Sequence, residues 1–432
     1  MSKQQDAWEK LFIEYNIIEN VKKSGYFEIT SADFKKFHLE PRLLTKFDHS
    51  FQLPEVMKNE SLSILPTSGS TWKVGKYRTF VELPPLDDNL QNCEIKKLPS
   101  WLESLKAERL TNEGAVLNAA SASGILEDFC GTSMISTITG KSRSGAFDFE
   151  IEGDGGLNEK ISVSSLQIEI DGGFESHQGL HLFEVKKRYA SDLNVRQLYF
   201  PFRAWHQRIS KDISTIYMTY VGDIFTLFQY EFADTKNYSS VKLIKSKKYL
   251  LAQSIPTKQD LISVAKKSQS GQNQRSSSAP FPQADNVGRL FELMEFLGDG
   301  PKTVQEIALE YDFDQRQSDY YFNALKFLDL AQNATSIDGI PQRELSRLGQ
   351  DILAMPFREK VLGIARQMTQ ILPIGNAFLK SVEGVELNLE LAKTELANSL
   401  YADDLTESTI SRRAQTILAW VKWLTLIPEI SE

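Results

Sequence analysis

Cysteine is almost absent from this chain: Cys93 and Cys130 are the only two among 432 residues. Two thiols build neither a disulfide framework nor a cysteine-cluster zinc site, so a reducing, cytoplasmic setting is expected. Histidine is scarce too. His38, His49, His177, His181 and His206 show no metal-ligand spacing, which argues against an HNH-type centre. No run of about 18 apolar residues occurs, so no membrane association is expected. The opening MSKQQDAWEK lacks the apolar core of a signal peptide. Positive charge is not in excess either. Lys and Arg number 49 against 57 Asp and Glu, a formal net charge of −8. That sum argues mildly against nucleic acid, although partners respond to the local field. Basic residues do gather at Lys141 and Arg143, at Lys242, Lys245, Lys247 and Lys248, and at Arg412 and Arg413.

What the chain holds is an ordinary globular mixture, 41% hydrophobic and 25% charged, which excludes wholesale disorder. Its length suggests about two to four domains. The segment 266–285, KKSQSGQNQRSSSAPFPQAD, is rich in Ser, Gln, Asn and Pro and poor in apolar residues; it reads as a flexible linker.

Beyond it, 286–432 reads as mainly helical. Val287–Leu297 has an amphipathic pattern stopped by GDGP, and Thr303 with Glu306 has capping-box spacing. Helical periodicity resumes over Gln315–Leu328, completing a helix-turn-helix pattern. Ala334–Leu345, with Gly339 and Pro341, suits the hairpin of a winged helix. Arg316, Gln317 and Tyr320, with Asn323 on the same helix, are candidate base or phosphate contacts. A winged helix used for protein contact is the plainer alternative. Near the end, Ile410, Ala414, Ile417, Val421 and Leu424 form an apolar stripe with Thr409, Arg412, Arg413 and Thr416 opposite. A second such unit, with Arg412 and Arg413 as further DNA candidates, is expected there.

Residues 1–95 carry weak signals and read as a small N-terminal subdomain, a candidate for DNA contact. Residues 96–265 are mixed. A helix is expected over 100–130, broken near Ser121–Gly124, followed by strands FDFEIE (147–152), ISV (161–163), LQIEID (166–171) and LHLFEVKK (180–187). Helix returns from about Asp192 to Ile209, and strands at STIYMTYV and IFTLFQYEF. This order predicts an α/β or α+β layer, a mixed central sheet flanked by helices. Pro201 should kink or restart its helix. Tyr199, Phe200, Phe202 and Trp205 read as core rather than as a base-stacking platform.

One constellation carries chemistry. Alternation places Gln167, Glu169 and Asp171 on one face of LQIEID, and Leu182, Glu184 and Lys186 on one face of LHLFEVKK. If the strands pair across the loop GGFESHQG, Asp171, Glu184 and Lys186 converge at one sheet edge. Two carboxylates and a lysine suit metal-assisted hydrolysis, in which hard oxygen ligands hold a partly hydrated Mg²⁺. The lysine would orient or deprotonate the attacking water. A solvated strand face with a cross-strand ion pair is the alternative reading of the same residues. Gly140-Lys141-Ser142 ends like a phosphate-binding P-loop, but Ile135 stands where that motif needs glycine. Lys141 and Arg143, expected in a Gly/Ser loop, are instead candidate DNA phosphate contacts.

Asp171 with Glu184-Val185-Lys186 resembles the D…(D/E)-x-K signature of the PD-(D/E)xK nuclease superfamily. More specifically, the chain is similar to Type II restriction endonucleases. The stretches that carry the similarity are EPRLLTKFD (40–48), LSILPTSGSTWKVGKY (62–77), QIEIDGGFE (167–175), LFEVKK (182–187), RQLYFPFRAW (196–205) and RQSDYYFNALKFLDL (316–330). Ile170 stands where the named motif has proline. The resemblance implies a PD-(D/E)xK nuclease core at 96–265. Asp171 and Glu184 would be Mg²⁺ ligands, Lys186 the catalytic lysine and Gln197 a glutamine near the site. Glu113 matches an acidic position that some members add, and Glu169 is an alternative ligand. Arg196 and Arg203 fall in the matching helix as candidate DNA contacts. The implied activity is Mg²⁺-dependent, sequence-specific hydrolysis of double-stranded DNA. A cognate DNA methyltransferase would be the genetic partner, and a symmetric recognition site would call for a homodimer. Two alternatives stay open: a repair or phage-defence nuclease without a methyltransferase, and a non-enzymatic winged-helix DNA-binding regulator.

Overall fold

A computed structural model of the protein describes residues 3–85, 92–270, 281–311, 315–337, 339–402 and 405–431. The N-terminal unit comprises α1 (Lys3–Glu14), α2 (Ile17–Ser24), β1 (Tyr26–Thr30), α3 (Ser31–Lys36), α4 (Pro41–Thr45), α5 (Glu55–Asn59), β2 (Ser63–Ser68) and β3 (Thr71–Gly75). Its sheet has the order β1-β3-β2. Trp8, Leu11, Phe34, Met57 and Val74 form a core of its own. This unit ends at Gly75 rather than near residue 95, because the next strands pair elsewhere.

The middle unit runs through β4 (Phe80–Glu82), β5 (Cys93–Lys96), α6 (Glu113–Ala122), α7 (Ile125–Cys130), β6 (Ile135–Arg143), β7 (Ala146–Glu152), β8 (Asn158–Ser164), β9 (Gln167–Glu175) and β10 (Gly179–Lys186). It continues with β11 (Asp192–Asn194), α8 (Arg196–His206), β12 (Asp212–Val221), β13 (Ile224–Phe232), β14 (Val241–Leu251) and α9 (Lys258–Ser270). Seven strands form one mixed sheet in the order β5-β14-β13-β12-β10-β9-β6. The β10–β12 pair is parallel and needs a crossover, which α8 supplies.

All eight residues of β10 are buried, as expected of a strand covered on both faces. Leu180 and Leu182 pack with Leu198, Tyr199 and Phe202 of α8, while Phe183 and Val185 pack with Val116 and Leu117 of α6 and Phe129 of α7. Helix begins only at Glu113, where Asn112 accepts the Ala115 amide at 2.9 Å. Gly124, at φ +74°, makes the break before α7. β7 and β8 form a separate two-stranded ribbon rather than joining the sheet. The aromatic run of α8 is core: Tyr199 packs edge-on against Phe149 and Phe232. Pro201 lies inside α8 without interrupting it.

The C-terminal unit begins with α10 (Val287–Gly298), β15 (Lys302–Thr303), α11 (Val304–Tyr311), α12 (Gln315–Phe327), β16 (Ala331–Ile337) and β17 (Ile340–Leu345). These three strands have the order β15-β17-β16, and Thr303 and Glu306 form the expected capping box. The helices α13 (Arg347–Leu353), α14 (Phe357–Thr369), α15 (Leu372–Val382), α16 (Leu389–Ala397) and α17 (Glu407–Leu426) follow. They are helices alone, so the second winged unit expected here is not built among the described residues. Thr416 is buried rather than exposed, because its hydroxyl accepts the Ala284 amide at 3.1 Å.

The expected linker is shorter than 266–285. Helix α9 continues to Ser270, and Phe281 packs against Phe327 and Tyr401. Residues 271–280 lie outside the described residues. The C-terminal core is continuous with Leu250 and Ala252 at the end of β14 and with Leu261 and Ala265 of α9. Among the described residues, no helix is long and apolar enough to cross a membrane.

Candidate active site

Strands β9 and β10 pair antiparallel, with Phe183 opposite Gly172 as the last paired residues. Beyond that point a side chain takes over from the backbone ladder: Asp171 Oδ2 accepts the Val185 amide at 2.8 Å. The two glycines after Asp171 have a packing reason. A Cβ at Gly172 would collide with Leu117 of α6, and one at Gly173 with Ile138 of β6. Their absence lets α6 lie close against β9 and brings its first residue, Glu113, to the strand end.

Glu184 and Lys186 project from the same face of β10, and the Lys186 ammonium donates to Glu184 Oε1 at 2.7 Å. Gln197, one residue into α8, donates to the same oxygen at 2.5 Å. Glu113 Oε1 is 3.7 Å from Lys186 Nζ, and Asp48 Oδ2 is 3.8 Å away. Tyr217 stands beside Glu184 on β12. Asp171, Glu184, Lys186, Gln197 and Glu113 therefore come together. Glu169 stays exposed on β9 and borders, with Glu184 and Gln197, a void of about 10 Å³, roughly one water. Asp48 was not legible as a site residue. It precedes the other site residues in the chain and sits in a loop whose partners are distant in sequence.

Four carboxylates, those of Asp48, Glu113, Asp171 and Glu184, surround one ammonium. Burial pushes Glu184 up to about 7, with Lys186 opposing the shift and Asp171 adding to it. Burial also raises Asp171 and Glu113. Burial disfavours the charge of Lys186, but Glu184, Asp48 and Glu113 outweigh it and hold the ammonium firmly protonated. Burial opposes ionisation of Asp48 as well, and Lys186, Lys46 and Arg196 overcome it, keeping that carboxyl below its usual range.

The donor set fits a hard cation that retains water. All the candidate ligands are carboxylate or amide oxygens, and Asp48 Oδ1 and Gln197 Oε1 are buried without a hydrogen-bond partner among the described residues. Among the described residues, no three His, Cys, Asp or Glu side chains are arranged to hold a metal unaided. Mg²⁺ commonly uses only one or two carboxylates and completes its shell with water and phosphate. Asp171 and Glu184 suit that partial role.

The other candidate residues are dispersed. Lys141 and Arg143 lie on the edge strand β6 rather than in a loop, both exposed. Arg143 donates to the Ser165 carbonyl at 3.1 Å. Arg196 opens α8, half-buried. Arg203 is 7% exposed and cannot meet DNA: its guanidinium donates to the Thr235 carbonyl at 2.6 Å and to the Tyr199 hydroxyl at 3.1 Å, and lies over the Phe147 ring. Tyr320 is exposed on α12, while the side chains of Arg316 and Gln317 lie outside the described residues. Arg412 is exposed on α17. Arg413 is half-buried, which lowers its pKa.

Comparison with known proteins divides the chain along these units. Residues 5–74 match a family described as a domain of unknown function (DUF6996). Residues 75–250 match another (DUF6997), and residues 289–429 a third (DUF7226). No curated protein and no solved structure matches the chain. The family limits fall at β3, β14 and α10, so Asp48 belongs to the first segment and the remaining site residues to the second.

Proposed function

We propose that the protein is a Mg²⁺-dependent, sequence-specific endonuclease of Type II restriction character that hydrolyses phosphodiester bonds in double-stranded DNA. The observation that carries this reading is the buried contact set at the end of β10: Lys186 on Glu184, Gln197 on the same oxygen, Asp171 on the Val185 amide and Glu113 close by. Burying several carboxylates around one ammonium is costly for stability, and clusters of perturbed titratable groups mark functional sites. A DNA-binding regulator has no use for such a cluster.

In this mechanism Asp171 and Glu184 hold the ion. When bound, Mg²⁺ supplies an activated water and offsets charge on the pentacoordinate phosphorus. Gln197 fixes the Glu184 carboxylate in one orientation. Lys186, held protonated, orients the nucleophile and stabilises developing negative charge rather than abstracting a proton. The reading extends to a PD-(D/E)xK core and to a winged helix spanning α10 to β17. The order helix, strand, helix, helix and hairpin supports the latter, as does Tyr320 exposed on its last helix, α12. A cognate DNA methyltransferase and a two-fold dimer belong to the same proposal.

The test is digestion of unmethylated phage DNA by the purified full chain with Mg²⁺, with EDTA, and with Lys186→Ala. Discrete fragments that require both Mg²⁺ and Lys186 are expected. Intact DNA under every divalent cation, with binding retained, would move the assignment to a non-enzymatic DNA-binding protein.

A further inference from the structure

We infer that Asp48 is a positioning residue, through which the N-terminal unit clamps Lys186 and makes the site at β10 depend on docking of a separate unit. This rests on the nuclease reading for its catalytic consequence, but the clamp itself rests on contacts. The Asp48 carboxylate lies 3.8 Å from Lys186 Nζ, and both side chains are largely buried, at 14% and 8% exposure. Its other oxygen is buried with no hydrogen-bond partner among the described residues.

The loop that carries Asp48 is stitched to β11 from several sides. The Asn194 amide donates to the Asp48 carbonyl at 2.9 Å, and the Asn194 side chain to the Phe47 carbonyl at 2.8 Å. His49 Nδ1 meets the Asp192 carbonyl at 2.7 Å, and the Ser50 amide donates to the Asp192 carboxylate at 3.1 Å. Gln52 accepts the Asp48 amide at 2.8 Å and closes the loop on itself. β11 leads directly into α8, whose second residue is Gln197. One short segment therefore bears on both groups that hold Glu184. It reaches Lys186 through the Asp48 carboxylate, and Gln197 through the seating of β11. A loop serving only to join two units would need the backbone bonds but not a buried carboxylate aimed at the lysine.

The experiment is a double-mutant cycle in the full chain with Asp48→Asn and Lys186→Met, read in three ways. Single-turnover DNA cleavage by Asp48→Asn should fall roughly 10- to 100-fold, the scale for a displaced catalytic group. Its DNA dissociation constant without divalent metal should stay within about twofold of the unsubstituted protein, since the loss falls on positioning rather than on grip. The change in thermal midpoint caused by Asp48→Asn should move in the stabilising direction once Lys186 is Met, because only repulsion from the other carboxylates remains to be relieved. Asp48→Glu, which keeps the charge, should recover most of the rate. Additive midpoint shifts, or equal loss in Asp48→Asn and Asp48→Glu, overturn the clamp. If the unsubstituted chain cleaves no DNA, the nuclease reading fails, and the midpoint cycle alone decides for or against the clamp.

Discussion

Lys360 of α14 and Asp223, in the turn between β12 and β13, form a 2.7 Å ion pair with side chains only 5% and 3% exposed. The pair lies where the C-terminal unit meets the middle one. Beside it, Glu295 of α10 accepts the Gly222 amide at 2.9 Å, and Tyr220 donates to the other Asp223 oxygen at 3.2 Å. Glu292, one turn earlier on α10, accepts the Tyr189 amide at 3.0 Å, just beyond the candidate catalytic strand. The C-terminal unit is thus built into the middle unit rather than tethered to it. Replacing Lys360 by Met leaves Asp223 buried without its cation, and such a break costs about 3–5 kcal/mol. Urea denaturation should show that loss; a change under about 1 kcal/mol would contradict the burial of the pair.

Glu295 gives the interface a pH dependence. Burial raises its carboxyl to about 7, Lys360 opposes the shift, and Asp223 adds to it. Its Oε2 is buried with no hydrogen-bond partner among the described residues. Between its ordinary value and about 7 the folded state holds a proton that the unfolded state has released. Stability contributed by this group is therefore full below the ordinary carboxylate range and lost as pH rises through about 7. The loss is on the order of 3 kcal/mol at most. Glu295→Gln keeps the acceptor for Gly222 and removes the titration. Its unfolding free energy at pH 8 should exceed that of the unsubstituted protein, and at pH 4.5 the two should coincide; parallel pH profiles would refute the assignment.

Gly172→Ala tests how the site is packed. The added methyl meets Leu117 of α6. Overpacking of this kind costs roughly 1–3 kcal/mol. Because α6 carries Glu113 at its start, the displacement should also reach the site. Unchanged thermal stability would mean that α6 yields freely and that Glu113 is not held by this contact.

Arg203 and Arg143 separate structural from electrostatic arginines. Arg203 donates to Thr235 and Tyr199 inside the α8 core, so Arg203→Ala should lower stability by about 1–3 kcal/mol without altering the salt slope of DNA binding. Arg143 is exposed on β6, and Arg143→Ala should reduce that slope by about one if it meets a phosphate. Affinity measured across a salt series distinguishes the two. An affinity flat with salt would remove DNA as the partner altogether.

Much of this arrangement is legible in the sequence because it is local. Period-two alternation marks β9 and β10 and puts Glu184 and Lys186 on one face. Thr303 and Glu306 announce the start of α11, and Ala414, Ile417, Val421 and Leu424 give the buried stripe of α17. These signals need only a few neighbouring residues. Composition misled at 266–285, where polar character concealed the continuation of α9 and the anchoring of Phe281. It also left Arg203 looking like any other basic residue.

The sequence by itself therefore determined β9, β10, β12 and β13, the helices α8, α10, α11 and α12, and the acid–lysine pattern of the candidate site, since each follows from spacing along the backbone. Only the tertiary structure decided which acids surround Lys186, that Asp48 comes from a different unit, and that Lys360 meets Asp223 across an interface. Those choices depend on side-chain packing and on the electrostatics of burial between residues far apart in the chain. No local periodicity records such partners.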